Sequence, residues 1–96
     1  MELLAIVTVK FFATVREAVG TRSVEIEADD IKSLLVELKT SYGKRFIETV
    51  IDEETDELKR FYQCMVNGKR IELLDGYDTL LQDGDSVALF PPVGGG

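Results

Sequence analysis

The sequence has no histidine, no tryptophan and only one cysteine, Cys64, among its 96 residues. A single cysteine cannot build an intramolecular disulfide framework, and without histidine no Cys/His cluster is available for a zinc ion. Basic residues are also few, with 11 Lys and Arg against 18 Asp and Glu and a net charge of −7. Nucleic acids are bound through Lys and Arg, so this balance argues against a nucleic-acid partner and favours a basic protein surface.

Long apolar runs are absent as well. The longest, residues 3–13, is interrupted by Thr8 and Lys10 and lacks the basic start and small-residue cleavage pattern of a signal peptide. We therefore expect a cytoplasmic protein without a membrane-spanning segment. With 45% hydrophobic and 30% charged residues, we expect a single domain over residues 1–96, ending in a flexible tail at residues 91–96.

Two alternating runs open the chain. The first predicts a strand whose alternate side chains face the core, because Lys10 must reach water. The predicted inward set is Val7, Val9 and Phe11. After a polar bend at residues 14–20, Val24 and Ile26 alternate with polar residues and predict a second strand, so that the two strands form a hairpin.

The next segment predicts the main helix. Asp29 or Asp30 is suited to cap its first turn, and Gly43 is suited to the left-handed position after its last turn. The apolar residues at helical spacing are Ile31, Leu34, Leu35, Leu38 and Tyr42. Residues 46–51 suggest a further short helical segment, and the acidic residues 52–57 are expected to form a solvated loop or an exposed helix end.

The second half predicts more strands. Asn67-Gly68 is a hairpin turn signal between strands at residues 61–66 and 71–73. A helical turn is expected at residues 77–82, a turn at residues 83–85, and then a last strand with its alternate residues, Val87 and Leu89, facing inward. The ββαββ order predicts an α+β fold with a mixed sheet on one main helix, which becomes a β-grasp fold if the last strand lies beside the first.

The chain ends in a segment of unusual composition. Its residues are Phe90, Pro91, Pro92, Val93, Gly94, Gly95 and Gly96. The prolines favour an extended backbone, and glycines have no Cβ to obstruct entry into a narrow channel. The last six residues reach about 20 Å when extended. We expect the carboxyl group of Gly96 to be presented to another enzyme, which activates it by adenylation.

The tail by itself is expected to bind weakly. Ordering it costs about 1 to 2 kcal/mol per residue, with little side-chain contact in return. Phe90, predicted to face outward, and Val93 are therefore the candidate anchors, since aromatic residues often dominate binding. No G-x-x-x-x-G-K-[ST] loop is present, so we expect no cofactor bound by this chain, and ATP and Mg²⁺ used by the activating enzyme.

These residues resemble the small, sulfur-carrying subunit of molybdopterin synthase, within the ubiquitin-like β-grasp superfamily. The resemblance covers nearly the whole chain: residues 9–17 with Gly20, the turns at residues 66–68 and 81–85, and, most specifically, residues 90–96. Gly94 departs mildly from the family, which usually has another small residue before its glycine pair.

The resemblance implies that Gly96 is adenylated by an E1-like enzyme and converted to a thiocarboxylate. The tail, including Gly94 and Gly95, would then enter a large catalytic subunit, where the sulfur is transferred to a pterin precursor of molybdopterin. It also implies that the catalytic residues lie in that large subunit. Three alternatives remain: conjugation of the same carboxyl group to lysines of other proteins, sulfur delivery to thiazole or tRNA synthesis, and a β-grasp interaction module without covalent chemistry.

Other candidate residues have simpler explanations. Cys64 lies in a strand pattern without a neighbouring base, so packing is favoured over a persulfide carrier. Residues 52–57 lack the spaced ligands of a calcium loop. Arg16 and Glu17 are open to either partner contact or solvation, and the same holds for Lys69 and Arg70 with respect to the activating enzyme.

Overall fold

A computed structural model describes residues 5–91 of the chain. Its five strands are β1 (Ile6–Phe11), β2 (Ser23–Glu27), β3 (Gln63–Val66), β4 (Lys69–Arg70) and β5 (Ser86–Phe90). The two α-helices are α1 (Ala13–Val19) and α2 (Ile31–Val50), and two short 3-10 helices, Ile71–Leu73 and Gly76–Asp78, lie between β4 and β5.

The strands form one mixed sheet in the order β2-β1-β5-β3-β4. The last strand pairs in parallel with the first, with Val9 opposite Val87 and Phe11 opposite Leu89. The neighbouring β1–β2 and β3–β5 pairs are antiparallel. This is the predicted β-grasp arrangement, and it places the first and last strands side by side at the middle of the sheet.

The core lies between one face of the sheet and α2. The inward positions predicted for β1 and β5 are confirmed: Val7, Val9, Phe11 and Val87 are fully buried, and Leu89 is 1% exposed. The period of two in the strands decides this, because every second side chain points to the same face.

The main helix begins as predicted. The Asp30 carboxylate accepts a hydrogen bond from the Ser33 N–H at 2.7 Å, which satisfies one of the free donors of the first turn. The helix and the short segment predicted after it are joined at Gly43, where φ 65° and ψ −143° interrupt the helical geometry. The first helical part of α2 therefore ends at Gly43 as predicted, and the second part, which runs to Val50, corresponds to the short segment predicted after it.

Two predicted details of the element order are wrong. The polar bend at residues 14–20 is instead α1, whose Val15 is fully buried and whose end is closed by Gly20 in the left-handed region (φ 80°). The strand predicted at residues 71–73 is a 3-10 helix. The turn allows the Ile71 side chain to pack in the core, where it is 3% exposed, whereas the Leu73 side chain is 69% exposed.

The turns of the second half follow the predictions more closely. Asn67 (φ 50°) and Gly68 (φ 84°) both have positive φ, as a tight hairpin turn requires. The helical turn expected at residues 77–82 is found slightly earlier, at Gly76–Asp78, and Gly84 occupies a left-handed position in the turn before β5 (φ 89°).

The helices at residues 13–19 and 31–50 are too short or too polar to cross a membrane.

Candidate functional site

The chain leaves the body at the end of β5. This strand is held on both sides, since Phe11 of β1 is paired with Leu89 and Gln63 of β3 with Phe90. Pro91 follows at once and is half-buried. Because the exit point lies on an inner strand of the sheet, whatever follows Pro91 starts from a fixed position.

The side chain of Phe90 lies on the outer face of the sheet, away from α2, as predicted. It does not stand alone there: its ring stacks on that of Phe12, with 4.6 Å between the centroids and 13° between the planes. An aromatic pair of this kind contributes about 0.5 to 1.5 kcal/mol beyond the area it buries. The predicted anchor is therefore one half of a pair, and both rings are half-buried.

Arg16 completes this arrangement. Its Nε–H donates to the carbonyl oxygen of Phe11 at 3.2 Å, and its guanidinium carbon lies 5.9 Å from the centroid of the Phe12 ring. This distance is at the outer limit of a cation–π contact. Arg16 is partly buried by these contacts and Glu17 is exposed, and contact of either residue with a partner stays a prediction.

Phe12 is held by the backbone around it. It is extended (φ −127°, ψ 145°) and continues the direction of β1, whereas Ala13 turns the chain with a positive φ of 50°. A left-handed alanine costs about 1 to 2 kcal/mol, which the surrounding packing must offset. The change of direction at Ala13, where α1 begins, leaves Phe12 on the outer face of the sheet beside Phe90.

Cys64 is not part of this site. It is 1% exposed, and burial, with a smaller contribution from the negative charge of Glu72, raises the pKa of its thiol to about 12. A thiol with this pKa is not ionised near neutral pH and is a poor nucleophile. The prediction that Cys64 serves packing is confirmed.

The acidic residues 52–57 are a solvated loop, as predicted. Asp56 forms an ion pair with Lys39 at 2.9 Å, and the Asp52 carboxylate accepts a hydrogen bond from the Glu54 N–H at 2.8 Å. Between residues 5 and 91, no three potential ligand side chains are grouped closely enough to hold a metal ion. Lys69 and Arg70 are exposed on β4, and their proposed partner contact stays a prediction.

Most of the predicted tail lies outside the described residues. The structure places Phe90 and Pro91, whereas Pro92, Val93, Gly94, Gly95 and Gly96 lie beyond the residues it describes. The roles assigned to these five positions stay predictions.

Sequence reasoning missed Phe12 as a member of the site. The signal was present, because the period-two pattern of β1 puts Phe12 on the outer face. Its proximity to Phe90, however, depends on the parallel pairing of β1 and β5 and on its register, with Phe11 opposite Leu89.

Comparison with known proteins supplies a context for this geometry. The sequence profile of the ThiS family matches residues 9–96. The chain is 38% identical to small archaeal modifier protein 3 of Haloferax volcanii, over 91% of this chain and 95% of the relative. It is 34% identical to the molybdopterin synthase sulfur carrier subunit of Escherichia coli K12, over 94% and 99% of the two chains.

One solved structure is similar to this chain over almost the whole length of both proteins. The solution structure of small archaeal modifier protein 1 from Methanosarcina acetivorans superimposes with a TM-score of 0.83 at 35% identity, covering 99% of this chain and all of that one. The ubiquitin-like β-grasp fold is thereby confirmed, and the predicted family resemblance with it.

Proposed function

Because the chain belongs to the ThiS family of sulfur carriers and ubiquitin-like small modifiers, we propose that its C-terminal carboxyl group is adenylated by an E1-like enzyme and then carries sulfur as a thiocarboxylate. The observation that carries this proposal is the exit of the chain from an inner strand, beside the Phe12–Phe90 stack. A rigid exit and an adjacent aromatic pair suit a tail that must be delivered into another protein's active site.

The chemistry at Gly96 consists of two substitutions. A carboxylate oxygen attacks the α-phosphorus of ATP and displaces pyrophosphate, giving an acyl adenylate. A sulfide-equivalent nucleophile then attacks the acyl carbon and displaces AMP, which leaves a thiocarboxylate. ATP and Mg²⁺ are bound by the activating enzyme in this scheme, and this chain supplies only the reacting carboxyl group.

The aromatic pair supports an anchoring role. The tail beyond Pro91 is short of side chains, so its ordering cost of about 1 to 2 kcal/mol per residue must be offset elsewhere. Phe90 and Phe12 present a flat apolar surface at the base of the tail, next to the cation of Arg16. We place the partner's contact there and assign Pro91, Pro92 and Val93 to extending and anchoring the tail.

For the destination of the sulfur, we propose a pterin precursor in molybdopterin synthesis, with the large subunit of molybdopterin synthase as the partner that contributes the catalytic residues. The 34% identity over 94 residues to the Escherichia coli sulfur carrier subunit supports this assignment, as does the Phe-Pro-Pro-Val stretch that starts the tail. We expect this work to take place in the cytoplasm, where ATP is available to the activating enzyme.

A second candidate function is conjugation of the same carboxyl group to lysines of other proteins. The observation favouring it is the 38% identity over 90 residues to a small archaeal modifier protein. Both functions begin with the same acyl adenylate and differ in the nucleophile that displaces AMP: a sulfur donor in one case and a lysine amine in the other.

Intact-mass analysis of the protein isolated from its own cells separates the two. Sulfur transfer predicts a fraction of molecules in which one oxygen is replaced by sulfur and which an alkylating reagent converts to a heavier thioester. Conjugation predicts lysines of other proteins that carry a glycine remnant after digestion. If neither product is found in cells that contain the activating enzyme, the chain is an interaction module and the proposal is wrong.

A further inference from the structure

A second surface of the molecule has no part in the chemistry of the tail. It consists of residues 72–80, called here the leucine loop, between β4 and β5. Three of its leucine side chains are exposed to solvent: Leu73 is 69% exposed, Leu74 38% and Leu80 74%. Single exposed apolar residues are common, but three within eight residues are the type of feature that marks an interaction site.

The leucine loop is closed by one side chain. Thr79 Oγ1 accepts a hydrogen bond from the Asp75 N–H at 3.0 Å and donates one to the carbonyl oxygen of Gly76 at 2.7 Å. Leu74 and Leu80 flank the segment that these bonds close. The two leucines are therefore presented from the base of the same compact turn.

The leucine loop is also fixed to the body. The Ile31 N–H donates to the carbonyl oxygen of Thr79 at 3.2 Å, and the Leu81 N–H donates to that of Asp29 at 2.9 Å. Ile31 and Leu81 are both buried. A surface held in this way loses little conformational entropy when a partner covers it.

The charged residues of the leucine loop itself are all acidic. Residues 71–96 contain no Lys or Arg, although the chain has 11. In the leucine loop, the exposed acidic residues Glu72, Asp75 and Asp78 alternate with the leucines. Basic residues border the loop on two sides: Lys59 and Arg60 share a groove with Glu72, and Lys32 shares another with Tyr77, so the acidic surface is confined to the loop.

The leucine loop runs from the end of the sheet at which the tail leaves, beside β3, to the opposite end. The turn that follows it is at the starting ends of β1 and β5, where the Gly84 N–H donates to the carbonyl oxygen of Ile6 at 3.0 Å and the Thr8 N–H to that of Asp85 at 3.0 Å. The tail leaves the opposite end of β5, about 13 Å away for four strand steps. Leu80, which precedes this turn by a few residues, therefore lies towards the end of the sheet opposite the tail.

We propose that the leucine loop is a second protein-binding surface, which takes a partner with a basic rim around an apolar centre. Charge complementarity favours this partner, because the acidic residues attract a basic rim. Burial of the leucines against an apolar centre would then stabilise the complex. A second copy of this chain, with its net charge of −7, would be repelled.

The test uses the full chain and a synthetic amphipathic helix of leucine and lysine as the probe. In an NMR titration, we expect the largest amide shift changes at residues 72–81 and saturable binding. Replacing the two most exposed leucines (L73S/L80S) is expected to weaken binding by about tenfold, because their apolar contact is lost. Melting curves of this variant check that folding is retained.

Two controls separate this surface from bulk charge and from the tail. The double variant E53Q/E54Q removes two negative charges from an exposed acidic loop without leucines, and it is expected to bind as the unaltered chain does. Removal of Gly96 is likewise expected to leave probe binding unchanged, so the result is independent of the proposed tail chemistry. The proposal is overturned if L73S/L80S binds as tightly as the unaltered chain, or if residues 52–57 shift as much as the leucine loop.

Discussion

Phe90 is the residue at which the body and the tail meet. Its ring stacks on Phe12 at 4.6 Å and remains half-buried, so a partner that covers the pair desolvates two rings together. Aromatic residues in this position commonly carry a large part of a binding energy.

We expect Phe90→Ala to weaken binding of the large subunit of molybdopterin synthase, or of the activating enzyme, by at least about tenfold. Isothermal titration calorimetry at a temperature well below unfolding measures this. Val36→Ala, at an exposed position on α2, is the matched control and should bind normally. Unchanged affinity of the Phe90 variant would show that the anchor lies elsewhere.

Cys64 leads to a prediction about pH. Burial raises the pKa of its thiol from 9.0, the value of a solvated cysteine, to about 12 in the folded chain. The unfolded state therefore loses this proton first as the pH rises, so the contribution of Cys64 to stability is present below pH 9 and is lost between pH 9 and about 12.

Alkylation kinetics check the same property. At pH 8, the thiol of the folded protein is expected to react with iodoacetamide far more slowly than that of protein unfolded in urea, because it is both buried and protonated. Equal rates in the two states would contradict the buried position of Cys64.

At the scale of elements, Gly43 decides the form of α2. Its ψ of −143° combined with φ 65° is close to a region that essentially only glycine occupies. Gly20, by contrast, has φ 80° and ψ 10°, near the ordinary left-handed region. Steric crowding by other residues does not require glycine at either position, since an added Cβ would meet nothing within 4 Å.

We therefore expect Gly43→Ala to lower the free energy of unfolding by about 1 to 3 kcal/mol, and Gly20→Ala by about 1 kcal/mol. Urea denaturation of both variants measures the difference. A Gly43 variant as stable as the parent would mean that the helix passes through this position without the kink.

Some of the elements were predictable from the sequence, whereas others depend on tertiary contacts. Asn67-Gly68 is a local signal that needs no distant partner, and it was predicted correctly. Helix α1 was missed because seven residues span only two turns, too few to show a helical period clearly, and because its burial depends on α2. The 3-10 helix at Ile71–Leu73 likewise depends on a tertiary contact, the burial of Ile71 in the core.

For the whole molecule, the proposed function predicts a separation of folding from chemistry. Removal of Gly96 should leave the melting temperature unchanged, because the core is formed by residues within 5–89. It should abolish adenylation, measured as ATP–pyrophosphate exchange with the activating enzyme. Gly94→Ala is the control: it restores a small residue of the type that the family usually has there, and we expect it to retain activity. Normal activation of the shortened chain would contradict the proposal.

The sequence by itself determined the features that depend on neighbours along the chain: the inward sets of β1 and β5, the cap at Asp30, the Asn67-Gly68 turn and the composition of the tail. It also carried the family resemblance. Only the tertiary structure showed that Phe12 lies beside Phe90 and Arg16 beside Phe12, and that the leucines of the leucine loop are exposed. The physical reason is that strand register and core packing join residues that are distant in sequence, and no local pattern specifies which distant residue a side chain will meet.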